Sequence, residues 1–241
     1  MAQFNECVRL QEMTWGQDIL VPSAIFVVAH ETGGQILGAF EGPKMVGFTM
    51  ALPGFHGKQR LLHSHMTAVL PRVQNLGVGR RLKLLQRTDA LEREIPLVEW
   101  TFDPLELKNA HFNIVRLGAV IRRLIPNCYG VTASPLHSGM PTDRLVAEWW
   151  LASPRVREVV DQGKTYASDS GAIARISIPA DIGEVKNRDR AAAERVQSEV
   201  RERFQEWFAR DYVVTGLESK QRVVHYLLEP VSSVSGNIFP A

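Results

Sequence analysis

The sequence predicts a mixed α/β protein: a central mixed sheet flanked by helices, followed by a strand–helix–hairpin extension at the C-terminal end. Three observations carry that expectation. Two helical patterns precede three strand patterns that are separated by short turns. A glycine-bearing turn then leads into a strongly helical run, after which strands and helices alternate. Of the 241 residues, 45% are apolar and 22% charged, an ordinary balance with enough apolar surface for a sizeable core.

The elements follow in order. Residues 4–15 read as a short helix, with Cys7, Leu10 and Gln11 or Thr14 on one face and Gly16 as its stop. In 23–32 the β-branched content argues strand, but Pro22 ahead and Gly33-Gly34 behind argue helix, which is preferred. Residues 35–41 and 44–52 are two strands joined by Gly42-Pro43, and 60–70 is a third. A helix spans 77–93, a strand 96–102, and a second helix 105–117 with Leu107, Ala110, Ile114 and Leu117 on one face and Gly118 at its end. Strands at 119–125 and 144–151 complete an expected first domain of residues 1–152. Residues 153–241 form the extension: a helix at 154–161, a strand at 173–178, a strong helix at 188–210, and a hairpin of 212–217 with 222–228. Packing or dimerisation is the expected work of such a segment, so a homodimer is among the expected states.

Net charge is +2, which gives no reason to expect a nucleic-acid or membrane partner. No run of about 18 apolar residues is present, so no membrane span is expected. Met1-Ala-Gln-Phe-Asn-Glu lacks the basic and apolar parts of a signal peptide, and a cytoplasmic location is expected. Cys7 and Cys128 have no metal-type spacing and suit a reducing compartment; no metal is expected.

The chemistry centres on the stretch from Met66 to Arg87, where a strand passes Pro71, then Gly77 and Gly79, and becomes a helix. Such a turn makes an anion site, because the first helical N–H groups have no intrahelical partner and the helix dipole is positive there. Glycines let a phosphate approach the backbone and tolerate turn dihedrals. A P-loop would need Gly-x-x-x-x-Gly-Lys-Ser/Thr, which is absent, and a dinucleotide fingerprint would need glycine where Leu82 stands.

What remains, Gln74-x-x-Gly77-x-Gly79, resembles motif A of the GNAT acyltransferases, Arg/Gln-x-x-Gly-x-Gly/Ala, which cradles the pyrophosphate of an acyl-coenzyme A. The helix ending Arg116-Leu-Gly118-Ala is similar to motif B of that superfamily, with Ala110 eight residues before Gly118. The resemblance covers roughly residues 4–151 and points to a branch with His-Ser-His-Met, Glu-Trp-Thr-Phe-Asp-Pro and Asn-Ala-His-Phe-Asn segments. It implies an N-acyltransferase moving acetyl or succinyl from acyl-coenzyme A, as co-substrate, to the amine of a small molecule such as an amino acid. It also implies coenzyme contacts at Ala68, Val69 and Leu70, at Gln74, Asn75, Leu76, Gly77, Val78, Gly79 and Arg80, and at Asn109 and Asn113 on the pantetheine arm. The usual Asn slot of motif B is Leu107 here, so that last match is shifted.

Amide formation from a thioester requires the amine to lose a proton, the oxyanion to find a donor and the thiolate to gain a proton. His63 and His65 stand eleven and nine residues before Gln74 on a strand, where a period of two turns both side chains to one face. The pair is similar to that of arylalkylamine N-acetyltransferases, and an ordinary histidine pKa near 6.5 suits a base. The plain alternative is two histidines satisfied by sheet neighbours; a metal pair would need a third ligand that no spacing supplies. Glu99 shares a strand face with Thr101 and Asp103 and, if buried, is a second candidate base; the plain alternative is a solvated or salt-bridged face. Many GNAT enzymes carry a tyrosine as thiolate acid where Ile114 stands, so Tyr129 in Asn127-Cys-Tyr-Gly130 is taken as a replacement acid. Arg80 at the helix start is expected to meet phosphate, whereas Lys83 and Arg87 are expected on a solvated helix face. The loop 137–144 is a candidate acceptor contact. Direct attack in a ternary complex is expected, no cysteine being placed as a nucleophile. The competing reading is a GNAT-fold module that binds coenzyme A without turnover.

Overall fold

The structure is a computed structural model that describes residues 1–16, 20–130, 139–166 and 173–239. His137 and Ser138 of the candidate acceptor loop lie outside the described residues. The architecture is mixed α/β, with strands in a large mixed sheet and helices flanking them. The chain divides into two compact units, one of residues Met1–Trp100 and one that starts at Thr101.

The first unit opens with helices α1 (Ala2–Trp15) and α2 (Ser23–Glu31), so the choice of helix for the second segment holds. Strands β1 (Gln35–Glu41), β2 (Lys44–His56) and β3 (Gln59–Val69) follow as an antiparallel meander. β2 runs four residues beyond its expected end, because Gly57 at φ +59 turns the chain and pairs His56 with Gln59. Helix α3 (Val78–Glu92) and strand β4 (Leu97–Phe102) complete this part, β4 running parallel to β3.

Alternation along the strands separates two faces. Phe48 and Met50 pack with Ala68 against Cys7 and Leu10 of α1 and Phe26 and Ala29 of α2. Phe26 meets Phe48 edge-on at 5.7 Å between ring centroids. The other face lies under α3, which buries Leu82, Lys83, Gln86 and Ala90. There Gln35 of β1 donates to the Gln86 carbonyl at 3.1 Å and also to Asp89.

The second unit holds α4 (Leu107–His111), β5 (Val120–Ile125), β6 (Arg144–Trp150), α5 (Pro154–Val156), β7 (Ala174–Pro179), α6 (Ile182–Arg188), α7 (Arg190–Ala209), β8 (Tyr212–Lys220), β9 (Val223–Pro230) and α8 (Val231–Ile238). Its strands lie in the order β6-β5-β8-β9-β7, each antiparallel to its neighbours in that order. The C-terminal hairpin is thus a continuation of the sheet, with Ile121 of β5 opposite Val214 of β8.

Three helical expectations change in detail. The helix expected at 154–161 is α-helical only over α5 and continues as a π-turn over Arg157–Asp161. The helix expected at 105–117 is α-helical only to His111 and continues as a wide π-turn over Phe112–Arg116, where the Leu117 N–H reaches back to the Phe112 carbonyl at 3.1 Å. The helix expected at 188–210 is α7, which starts two residues later because Asp189 leaves helical geometry and its Oδ1 accepts the Ala192 N–H at 3.0 Å as the cap; the separate helix α6 before it was not expected. Arg155 braces this unit. It is 1% exposed, and its guanidinium donates to the carbonyls of Gly118 (2.9 Å), Ile114 (3.3 Å) and Thr215 (2.6 Å). Burial lowers its pKa to about 10, with nearby acidic groups opposing the shift.

Candidate active site

The turn expected to bind an anion forms as its glycine requires. Gly77 caps α3 in the left-handed region, at φ 81 and ψ 3, which costs a side-chain-bearing residue strain. Asn75 also has positive φ. Gly79 sits within the first helical turn without that need, so turn dihedrals account for Gly77 and not for Gly79. No side chain caps α3, and its first turn carries no acidic residue. Its leading N–H groups therefore face outward with the positive end of the helix dipole. Gln74 is exposed and spends its amide on the loop itself, donating to the Val69 carbonyl at 2.9 Å. Arg80 is half-buried, and its Nε is buried without a hydrogen-bond partner.

Leading into the turn, β3 pairs with β4 over Leu61↔Leu97, Leu62↔Val98 and His63↔Glu99. Along the opposite edge of β3 the ladder with β2 skips a residue: Met50 faces Met66 and Ala51 faces Ser64, which leaves His65 as the extra residue of a bulge. The His63 and His65 rings lie 6.4 Å apart, on the same side as expected. Partial desolvation, and secondarily the neighbouring His63, lowers the His65 pKa below its ordinary value. Neutral imidazole is thereby favoured there, as a proton acceptor requires.

Glu99 is 7% exposed, so it is not on a solvated face, and its carboxylate lies against two histidines. Its Oε2 lies 2.8 Å from His56 Nε2 and its Oε1 3.6 Å from His63 Nδ1. His56 was not singled out in the sequence. The signal that could have found it is the turn at Gly57, which extends β2 far enough to bring its last residue across to Glu99.

Lys83 corrects an expectation. It is not on a solvated face: it is 4% exposed, with Nζ 2.8 Å from Ser64 Oγ, 3.0 Å from Gln86 Oε1 and 3.9 Å from the centroid of the Trp100 ring. Desolvation lowers its pKa to about 7. Cys7 is buried, and burial together with Glu6 pushes its thiol up to about 12, which removes it as a nucleophile at neutral pH.

In the second unit, Tyr129 is 51% exposed and its hydroxyl is 3.0 Å from Thr101 Oγ1. Its turn is clasped from below: the Tyr129 N–H donates to Thr142 Oγ1 at 2.8 Å, and that hydroxyl donates to the Gly130 carbonyl at 2.9 Å. Asp143 accepts the Asn127 N–H at 2.9 Å and Arg201 Nε at 2.7 Å. Asn109 is exposed, Asn113 is buried within the π-turn, and Ile114 is a core residue at 1% exposure. Among the described residues no cluster of His, Cys, Asp and Glu is arranged to hold a metal, and no helix is long and apolar enough to cross a membrane.

Neither a family model nor a curated protein matches the sequence. Solved structures do match the fold. The ribosomal-protein-S18-alanine N-acetyltransferase of Escherichia coli aligns with a TM-score of 0.50 at 12% identity, over 71% of this chain and 94% of that one. A protein of Desulfovibrio desulfuricans assigned to the GNAT family aligns with a TM-score of 0.50 at 16% identity, over 63% and 94%. The fold is that of the GNAT acetyltransferases. A third structure, smu.2055 of Streptococcus mutans, aligns with a TM-score of 0.51 at 19% identity, over 62% of this chain and 94% of that one. Within the GNAT fold, the Gly77 turn and the His63–His65 strand belong to one compact unit, and Tyr129, Asn109 and Asn113 to the other.

Proposed function

We propose that this chain is an acyl-coenzyme A-dependent N-acyltransferase acting on the amine of a small molecule such as an amino acid. The observation that carries the reading is the start of α3: a left-handed Gly77, uncapped N–H groups and an orphaned Arg80 Nε, at the end of the strand that presents two histidines. The GNAT fold supports it. Residues Gln74 to Arg80 would hold the pyrophosphate, the edge formed by Ala68, Val69 and Leu70 the pantetheine arm, and Asn109 and Asn113 its amides. Acetyl and succinyl donors are equally admissible, because a pyrophosphate turn does not read the acyl chain. Residues 1–152 would carry this pattern and 153–241 would elaborate it.

In the proposed reaction the amine attacks the thioester carbonyl directly, and the carbon–sulfur bond breaks as the amide forms. His63 or His65 takes the amine proton, and the thiolate is protonated by Tyr129 or by water. A second reading, a module that binds coenzyme A without turnover, is favoured by the apolar Ile114. Thiol release from acetyl- and succinyl-coenzyme A over a panel of amines separates the two. The expected result is amine-dependent release that falls by about 10²–10⁴ when His63 and His65 are both changed to Gln. Saturable coenzyme binding with no turnover on any amine would favour the module, and full turnover in the double variant would make the pair structural.

A further inference from the structure

His63 and Glu99 are opposite each other in the last recorded pair of the β3–β4 ladder, so the carboxylate is delivered to the side of the imidazole by strand register. The two oxygens of Glu99 are divided. With Glu99 ionised the carboxylate can only accept, and the 2.8 Å contact then has His56 Nε2 as donor. The other oxygen is turned toward His63 Nδ1 at 3.6 Å, within ion-pair range and longer than a formed hydrogen bond. Contacts of catalytic groups commonly tighten when substrate binds. The Glu99 side chain is 10% exposed, whereas His56 is 47% exposed. The low-dielectric position strengthens the field of the carboxylate on its neighbour, and His56 anchors it from the solvent side.

We infer that Glu99 is a positioning residue: held by His56, it keeps the His63 proton on Nδ1 and so leaves Nε2 as the acceptor for the amine proton. This rests on the acyltransferase reading for its purpose, though not for its geometry. Which nitrogen of a histidine is the base is decided by what the other one donates to. Without an acceptor beside Nδ1, a histidine side chain reverts toward the Nε2–H form, in which the wrong nitrogen holds the lone pair. The arrangement also argues against Glu99 as the base itself, since both its oxygens are turned to ring nitrogens.

Long-range proton–nitrogen correlation spectra of the labelled full chain read the tautomer directly, with turnover measured in parallel. The neutral parent His63 should be in the Nδ1–H form. Glu99→Leu should move it toward Nε2–H and lower kcat by about 10- to 100-fold, with KM for the acyl donor unchanged. Glu99→Gln keeps an acceptor and should retain the tautomer and more of the turnover than Glu99→Leu. If Glu99→Leu does not fold, the more exposed His56→Leu carries the test and should shift the tautomer in the same direction. A parent His63 in the Nε2–H form, or one that does not respond to these variants, overturns the inference. So does a Glu99→Gln variant as inactive as Glu99→Leu with the tautomer intact, which would make Glu99 the base. If the parent transfers no acyl group at all, the function fails while the tautomer measurement still decides the positioning.

Discussion

Lys83 Nζ stands 2.8 Å from Ser64 Oγ, and Ser64 is the member of His63-Ser64-His65 that points under α3. The helix whose N-terminus is proposed to hold the anion is therefore docked on the strand of the histidine pair through a buried amine. Beneath it lie Gln86, the Trp100 face and the Gln35–Asp89 contact. Ser64 and Gln86 offer oxygens and Trp100 offers its ring, but among the described residues no carboxylate is in contact with the amine, and desolvation dominates.

Stability should therefore depend on pH through Lys83. Its pKa is about 7 in the folded protein against an ordinary 10.5. Below about 7 both states bind the proton, and the cost of burying the ammonium is fully present. Between 7 and 10.5 the unfolded chain holds a proton that the folded chain lacks, so this group makes stability rise with pH. Lys83→Met should flatten the slope of unfolding free energy against pH, measured by urea denaturation from pH 7 to 9. It should also be more stable than the parent at pH 7 by roughly 1–3 kcal/mol, after the loss of the Ser64 and Gln86 bonds. An unchanged slope would mean that the amine reaches water.

The capping glycine gives a test of the proposed anion site. A Cβ placed on Gly77 meets nothing within 4 Å, so the protein alone has room for it. Gly77→Ala should cost about 1 kcal/mol of stability through its left-handed dihedral. Gly77→Val should weaken acyl-coenzyme A binding by about 1–3 kcal/mol in calorimetry, beyond any loss of fold. Equal affinity in a folded Gly77→Val variant would take this turn out of the coenzyme site.

How much of this was legible depends on the period of each signal. The Gly42-Pro43 hairpin, the helical choice at 23–31 and the Gly77 turn carry their evidence within a few residues, and they read correctly. The positions of His63 and His65 on one side also followed from alternation, although the bulge at His65 did not. Lys83 misled because a charged residue on a helix is ordinarily solvated, and only the neighbouring strands reveal that Ser64 and Trp100 replace water. The Glu99–His56 contact was hidden for a similar reason: 43 residues separate the partners, and only strand register joins them. The cap at Asp189 was readable from its residue type, but the seven-residue helix α6 before it is too short to show a period.

Arg155 should be the most sensitive polar position of the second unit. Its guanidinium holds three carbonyls that belong to the chain after α4, the π-turn and β8. Arg155→Met keeps much of the volume and leaves those acceptors buried without their donor. A loss of about 3–5 kcal/mol is expected from chemical denaturation, with coenzyme binding by the folded fraction unchanged. A loss below 1 kcal/mol would mean that water takes over the carbonyls.

Tyr129 remains the candidate acid because Ile114, buried in the core, cannot protonate a thiolate. Its setting separates a chemical role from a structural one. The turn that presents it is fixed by backbone bonds, by Thr142 and by Asp143, none of which uses the phenol. The ring is half-exposed, and the recorded hydroxyl contact is Thr101 Oγ1. Tyr129→Phe should accordingly leave stability within about 0.5 kcal/mol of the parent. If the phenol serves the leaving thiolate, turnover falls while coenzyme affinity holds, because the lost interaction belongs to the transition state. Thr101→Val gives the control: it frees the phenol from its partner and should lower turnover less than Tyr129→Phe does. Stopped-flow thiol release with calorimetric binding measures both quantities. Parent-like release in Tyr129→Phe would show that solvent protonates the thiolate and that Tyr129 has no part in the chemistry.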